Sequence, residues 1–188
     1  MTGVQTCALP ISEEGRNREA IVDRLYEAAK ARGKIIERDK QALGMGDSIT
    51  KFMQRIGKGK RVFVVLSDKY LKSPFCMYEL WEVWRNARQQ GEAFIDVIRV
   101  FALPDAKIFT PRDRLLLAAH WKKETEELAA LVKEVGPELL GERDGDRLRM
   151  MRRFSYDVSD ILATIADRVL PRSFEDFEKY GFDEPGKT

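Results

Sequence analysis

The chain has little of what metal and redox chemistry need. Its 188 residues contain one histidine, His120, and two cysteines, Cys7 and Cys76. One imidazole and two scattered thiols cannot assemble a zinc site, so no metal ligands are expected. Two cysteines cannot make a disulfide framework either, which favours a reducing compartment. Charge of one sign is also lacking: Lys plus Arg number 33 against 31 Asp plus Glu, a net of +2. That balance argues against a nucleic-acid groove and against a membrane surface. No apolar run approaches the roughly 20 residues of a membrane-crossing helix, and no basic start with a sustained apolar core marks a secretory signal. Repeats and low-complexity tracts are absent. What is left, 44% hydrophobic and 34% charged, is ordinary globular composition in a length suited to one complete core. A cytoplasmic protein with neither nucleic-acid nor membrane partner is the expectation.

One absence is local. Residues 1–11, MTGVQTCALPI, carry no charge in a chain that is one-third charged. The segment resembles the translated sequencing-adapter peptide found at the start of gene fragments assembled from environmental DNA. It is therefore expected to be a non-native leader. The competing reading makes residues 6–11 an eccentric first strand, against which Pro10 would remove a ladder donor.

What the chain does have is concentrated in residues 61–84, RVFVVLSDKYLKSPFCMYELWEVW. The run from Val62 to Leu66 is β-branched and aromatic without interruption, as in a parallel strand covered on both faces. A polar loop follows, and then Met77, Leu80, Trp81 and Trp84 recur at i, i+3, i+4 and i+7, the apolar face of a helix. Glu79 falls off that face and is expected in the first turn. Ligands of open α/β sheets bind in the crevice at the carboxyl ends of the strands, which directs attention to this loop and turn.

Around that stretch, strands and helices alternate. Ser12 caps a helix with Ile21, Leu25, Ala28 and Ala29 inward, stopped by Gly33, and residues 34–37 form a short strand. Ser48 caps a second helix with Ile49, Phe52, Met53 and Ile56 inward. Residues 94–103 read as a strand interrupted by Asp96 and Arg99. Residues 114–135 read as a helix with Leu117, Trp121, Leu128 and Leu131 inward. Residues 136–145 connect it to a long final helix that Pro171 ends, and Ser173 with Asp176 forms a small capping box. Such alternation predicts an α/β fold with a parallel central sheet and helices on both faces.

The detail of residues 67–80 resembles the TIR (Toll/interleukin-1 receptor) domain family. Members have a strand ending in Ser, a Tyr and a Ser in the next loop, then aromatic-Cys-x-x-Glu-Leu; here these are Ser67, Tyr70, Ser73, Phe75, Cys76, Glu79 and Leu80. A second signature, Asp-Lys, a Leu, and Pro-Gly-Asp-Ser-Ile, matches Asp39, Lys40, Leu43 and Met45-Gly46-Asp47-Ser48-Ile49, with only the Pro changed. Two ordered motifs at the family's separation are far more specific than either alone. The resemblance covers roughly residues 12–170 and weakens after Pro104. It implies a flavodoxin-like fold with a TIR domain over residues 12–170 and, over residues 171–188, a tail or a linker to a lost partner domain. The family's first strand ends in a sequence like Phe-Ile-Ser-Tyr-Ser, which this chain does not contain, so that strand is expected to be missing or replaced. Its fifth strand is expected near Leu115 to Ala118 or not at all.

Many TIR domains cleave NAD at the nicotinamide glycosidic bond, and their catalytic Glu corresponds to Glu79. Nicotinamide leaves from a pyridinium that is already positive, so one carboxylate can suffice where glycosidases ordinarily need two. By resemblance Phe75 stacks on nicotinamide or shapes the pocket, and Ser67, Tyr70, Ser73, Asp39 and Lys40 bind substrate. Leu43, Gly44, Gly46, Asp47 and Ser48 form the loop that covers the nucleotide and contacts the next domain in an assembly. Bland readings stand beside these: Glu79 as an exposed acid at a helix start, the serines as caps, Tyr70 as packing, Cys76 as a small buried residue, and Asp39 and Lys40 as solvated loop charges. The implied function is a bacterial NAD+ glycohydrolase or cyclase with NAD+ as substrate and no cofactor. It would be the effector of an antiviral signalling protein, active when TIR domains self-associate, with its sensor domain lost. The alternative is a TIR scaffold that signals by proximity alone. One motif is refused: residues 181–188, GFDEPGKT, spell a phosphate loop but follow an acidic helical stretch and carry Asp183 and Glu184 inside.

Overall fold

In a computed structural model, the described backbone comprises residues 2–5, 13–38 and 61–182, with side chains described for residues 20–35 and 61–182. The second expected helix, from Ser48, and the expected cover loop lie outside the described residues. Two compact units emerge, Met1–Ala106 with Arg168–Thr188, and Lys107–Asp167.

The first unit is built on a parallel sheet in the order β2-β1-β3-β4, formed by Thr2–Gln5 (β1), Ile36–Arg38 (β2), Arg61–Leu66 (β3) and Ile98–Ala102 (β4). The central place beside β3 is taken by β1, from the segment read as a leader, in the register Thr2 opposite Arg61 and Val4 opposite Phe63. That central place is therefore filled, from a position earlier than the strand considered at residues 6–11. On its other side β3 pairs with β4, Val62 opposite Ile98. Val62 through Leu66 are all fully buried, so both faces of β3 are covered, as its unbroken apolar run requires.

Helix α1 (Glu13–Ala31) ends at Gly33, whose φ of +64° favours glycine. It packs Val22, Leu25 and Ala29 with Phe63 and Val65 and with Phe174, Phe177 and Phe182, the last three from the segment read as a tail or linker. Those three lie on Phe174–Phe182, which becomes the last helix of the fold, and Phe63 meets the rings of Phe177 and Phe182 at 5.7 and 5.3 Å. Lys34 Nζ donates to Phe182 O and Arg61 Nη1 to Gly181 O, placing two cations on the helix's final carbonyls. Gly181, first glycine of the refused phosphate loop, lies against Phe63 instead: a Cβ there would come within 2.3 Å of Phe63 Cε1. One half of the expected capping box opens this helix, Asp176 N–H donating to Ser173 Oγ at 3.1 Å.

After β3 come Asp68–Leu71 (α2), Pro74–Asn86 (α3) and Gly91–Val97 (α4). The strand expected over residues 94–103 is thus shorter, because its first four residues close α4. Arg99 explains its own place in β4. It is buried, and its Nη1 donates to the carbonyls of Ile95, Asp96 and Ile98 at 3.2, 3.2 and 2.7 Å where α4 ends, while Cζ lies 4.9 Å from the Tyr180 ring centre.

The second unit is a helical hairpin. Pro111–Val135 (α5) opens with a reciprocal capping box between Thr110 and Asp113, and a 3-10 turn over Pro137–Leu139 leads to Glu142–Ala166 (α6). Leu117 and Trp121 point inward as expected. Leu131 does not: it is 51% exposed near the hairpin's far end, where periodicity continues past the packed part of the seam. Residues 115–118 are helical, so no fifth strand lies there. Helix α6 ends before Pro171, at Ala166. Phe174–Phe182, introduced above, is α7.

Candidate functional site

Two serines organise the loop at the carboxyl end of β3. Ser67 is the N-cap of α2, its Oγ accepting Tyr70 N–H at 3.1 Å, and Ser73 is the N-cap of α3, its Oγ accepting Cys76 N–H at 3.4 Å. Pro74 follows at the first helical position, where its missing N–H costs nothing. The chain therefore turns twice within a few residues and delivers α3 in a fixed direction from the strand end.

That helix is buried on every side. Cys76 through Trp84, nine consecutive residues, are all buried, and Trp84 meets Phe94 edge-on at 5.1 Å. A helix apolar on one face only was expected, and Glu79 was read as an acid of its first turn. The structure corrects both. Glu79 lies beyond the first turn of α3, which contains no acid, and it is only 5% exposed. Its Oε2 is buried and takes no hydrogen bond from the described residues, although the residue has other interactions. The exposed-acid reading of Glu79 is thereby removed, since a surface acid at a helix start would be solvated.

The remaining predicted residues separate clearly. Phe75, on the first turn of α3, is half-buried, Ser67 and Ser73 are buried, and Tyr70 is completely buried, in keeping with packing beneath the loop. Ser67 has accepted one N–H, and among the described residues nothing accepts its hydroxyl hydrogen. Cys76 is completely buried, in keeping with its reading as a small buried residue. Asp39, Lys40, Leu43, Gly44, Gly46, Asp47 and Ser48 all lie outside the described residues. Among the described residues no group of three His, Cys, Asp or Glu side chains could hold a metal, and no helix is long and apolar enough to cross a membrane.

Two acids near the site went unnoticed in the sequence. Glu82 is 3% exposed and accepts from Arg85 Nη2 at 2.7 Å, and the Arg85 guanidinium lies 5.4 Å from the Trp81 ring. The i, i+3 spacing of Glu82 and Arg85 was the available signal. Asp105, in the turn after β4, accepts Asp68 N–H on Oδ2 at 3.1 Å. Here the signal was a Pro-Asp pair straight after a strand. A cavity of about 480 Å³ in the hairpin, lined by Phe109, Arg114, Ala163, Thr164, Ala166 and Asp167, includes none of these residues. Its one cation, Arg114, already donates to the carbonyls of Ile108 and Phe109.

A family model for the TIR domain matches residues 11–132, well over half of the chain. The chain belongs to the TIR domain family. No curated protein matches it. The TIR match begins at the end of the uncharged first eleven residues and stops inside α5, so α6 and α7 lie beyond it. Members of this family signal or cleave NAD+, and TIR domains generally interact with one another.

Proposed function

We propose that this TIR domain cleaves NAD+ at the nicotinamide glycosidic bond, with Glu79 as its catalytic carboxylate, as the effector of a bacterial antiviral signalling protein. The observation that carries the reading is a carboxylate held almost out of water on α3, just past the half-buried Phe75, behind the carboxyl end of β3. Burial of an ionisable group is costly unless something compensates it, so a fold that keeps a carboxylate there has a use for it.

The chemistry suits one acid. The C–N bond to the pyridinium breaks with its electron pair going to nicotinamide, which leaves neutral without a proton donor. Positive charge develops on the ribosyl carbon, and Glu79 stabilises it from a low-dielectric position. Water bonds to that carbon and releases a proton to solvent, giving hydrolysis, or a ring nitrogen of the same molecule's adenine bonds to it and takes up the positive charge, giving cyclisation. Glu79 orients the hydroxyl groups and the nucleophile. Phe75 supplies an aromatic wall for nicotinamide, and the Ser67 hydroxyl donates to ribose or phosphate. Tyr70 and Ser73 hold the loop, and residues 39–48 supply Asp39, Lys40 and the cover. TIR enzymes generally complete their sites from neighbouring domains, so turnover is expected at high protein concentration and little from a dilute chain.

The test is release of nicotinamide, or a signal from a fluorescent NAD analogue, from concentrated protein beside Glu79→Gln. Loss of turnover by at least two orders of magnitude in a variant that still folds is the expected result, within the range for removing a principal charge-stabilising group. Equal turnover by both proteins removes Glu79 from the reaction. The scaffold reading predicts concentration-dependent self-association with no nicotinamide released from either protein.

A further inference from the structure

We propose that Asp105 is a positioning residue for this site: from the turn after β4 its carboxylate latches the loop that carries Ser67, Tyr70 and Ser73, and so sets where α3 presents Glu79. The effect on turnover rests on the NAD-cleaving reading; the effect on the loop does not.

The sheet order β2-β1-β3-β4 puts the topological switch between β1 and β3, so the ligand crevice opens on the β1 side of the loop after β3. The opposite side faces β4. There the ladder runs one step past the Leu66–Ala102 pair, Leu103 N–H donating to Leu66 O at 2.9 Å. Ala106 N–H then returns to Leu103 O at 3.0 Å, closing a turn with Pro104 and Asp105 at its centre. Proline at the first central position presets that turn, and the buried Ala106 anchors its far end. Asp105 is thus presented from a fixed support on the side of the loop away from ligand.

What it holds is a short element whose backbone bonds are local, Leu71 N–H to Ser67 O at 3.0 Å, Lys72 N–H to Asp68 O at 3.0 Å and Ser73 N–H to Tyr70 O at 3.1 Å. Helix α2 is four residues long, a single turn, and an isolated turn of helix is unfavourable because several dihedrals are fixed for few hydrogen bonds. Its opening N–H groups have no partner within the helix. Ser67 satisfies Tyr70 N–H from inside the loop, and Asp105 satisfies Asp68 N–H from the turn after β4, 37 residues away in sequence. The second bond is the charge-assisted one, the stronger class. The carboxylate of Asp68 pairs with Lys72 Nζ at 2.8 Å, which joins two half-exposed groups within the same turn and fixes nothing to the sheet. The link from α2 to α3 is only Lys72 and Ser73, and Leu71 at the end of α2 and Ser73 are both buried, so a shift of Asp68 passes through one turn to the Ser73 cap and to the helix that bears Glu79.

Asp105→Ala and Asp105→Asn in the full chain test the latch, because Asn keeps an acceptor oxygen while Ala keeps none. Amide hydrogen exchange over residues 67–73 is expected to quicken about tenfold in the Ala variant, the loss of one charge-assisted hydrogen bond, with β3 unchanged and with Asn restoring protection. Nicotinamide release should follow: kcat lowered about tenfold in Ala with KM unchanged, and recovered in Asn. Unchanged exchange in the Ala variant overturns the latch, and so does failure of Asn to restore it. A loss confined to KM would make Asp105 a substrate contact and overturns its role as a positioning residue. If the parent chain releases no nicotinamide, the functional reading fails while exchange still decides the latch.

Discussion

The sheet unit and the helical hairpin use almost opposite means to stay folded. In the sheet unit, β3 has five fully buried residues and α3 has nine consecutive buried ones, two of them glutamates. In the hairpin, α5 runs 25 residues and buries only Leu117, Trp121 and Thr125. Its partner α6 buries an apolar row of Met151, Phe154, Val158, Ile161, Leu162 and Ile165, with Trp121 against Phe154 at 4.9 Å, while α5 adds local devices: the Thr110–Asp113 capping box and exposed pairs such as Lys122–Glu126 and Lys123–Glu127. Exposed pairs of this kind contribute little each. The contrast shows where chemistry is affordable. Among the described residues, charged side chains are buried only in the sheet unit, at Glu79, Glu82 and Arg99, and charges on the hairpin stay solvated.

Two helical glycines, one in each region, turn that contrast into opposite signs. Gly181 on α7 lies so close to Phe63 that an added Cβ would be 2.3, 3.1 and 3.3 Å from three ring carbons. Phe63 cannot yield, being fully buried between Phe177 and Phe182. Gly181→Ala is therefore expected to destabilise the protein, overpacking of about 1–3 kcal/mol outweighing a helix-propensity gain of about 1 kcal/mol. Gly145 on α6 meets only Arg149 Nη1 at 3.5 Å and Leu140 Cδ2 at 3.7 Å, ordinary contacts with side-chain ends. Gly145→Ala should stabilise by up to about 1 kcal/mol, since only the propensity term remains. Denaturant midpoints of the two variants check both. Stabilisation by Gly181→Ala would mean that α7 is not seated on β3.

The same division decides how much was legible in the sequence. Local signals carried the hairpin and the caps: the helix of residues 114–135, and Ser173 with Asp176, are visible because their partners lie three or four residues away. The strand at residues 61–66 and the apolar spacing after it were equally readable, and with Ser67, Tyr70, Ser73, Phe75, Cys76 and Glu79 they sufficed for the family. Long-range facts were not readable. Nothing in the spacing of Glu79 tells that α3 is covered on its polar side as well, and nothing in Phe177 tells that it packs with a strand more than a hundred residues earlier. Asp96 and Arg99 looked like flaws in one strand because helix α4 has too short a periodic run to recognise before β4 begins. Asp105 escaped because its partner is a backbone N–H across two strand ends.

Two exposed acids sharpen the comparison at its weakest scale. Glu175 in α7 is held below the usual carboxylate range, first by its own backbone N–H and then by the Arg24 guanidinium at 3.0 Å, and Asp113 in α5 is lowered chiefly by the Thr110 hydroxyl. Each carboxyl therefore releases its proton more readily in the folded chain than in the unfolded one. Each contributes stability above the unfolded carboxyl's pKa, and that contribution is lost as pH falls through the lower, folded value. The causes respond differently to salt, because a charge pair in solvent is screened and a hydroxyl hydrogen bond is not. Side-chain carboxyl titrations by NMR at low and high salt should show the Glu175 midpoint rising with salt while Asp113 moves less. Arg24→Ala should raise Glu175 alone, and Thr110→Ala should raise Asp113 alone. If salt moved the two midpoints equally, the Arg24 pair would contribute nothing beyond the backbone N–H, and α7 would be fastened to α1 by its phenylalanines rather than by its charges.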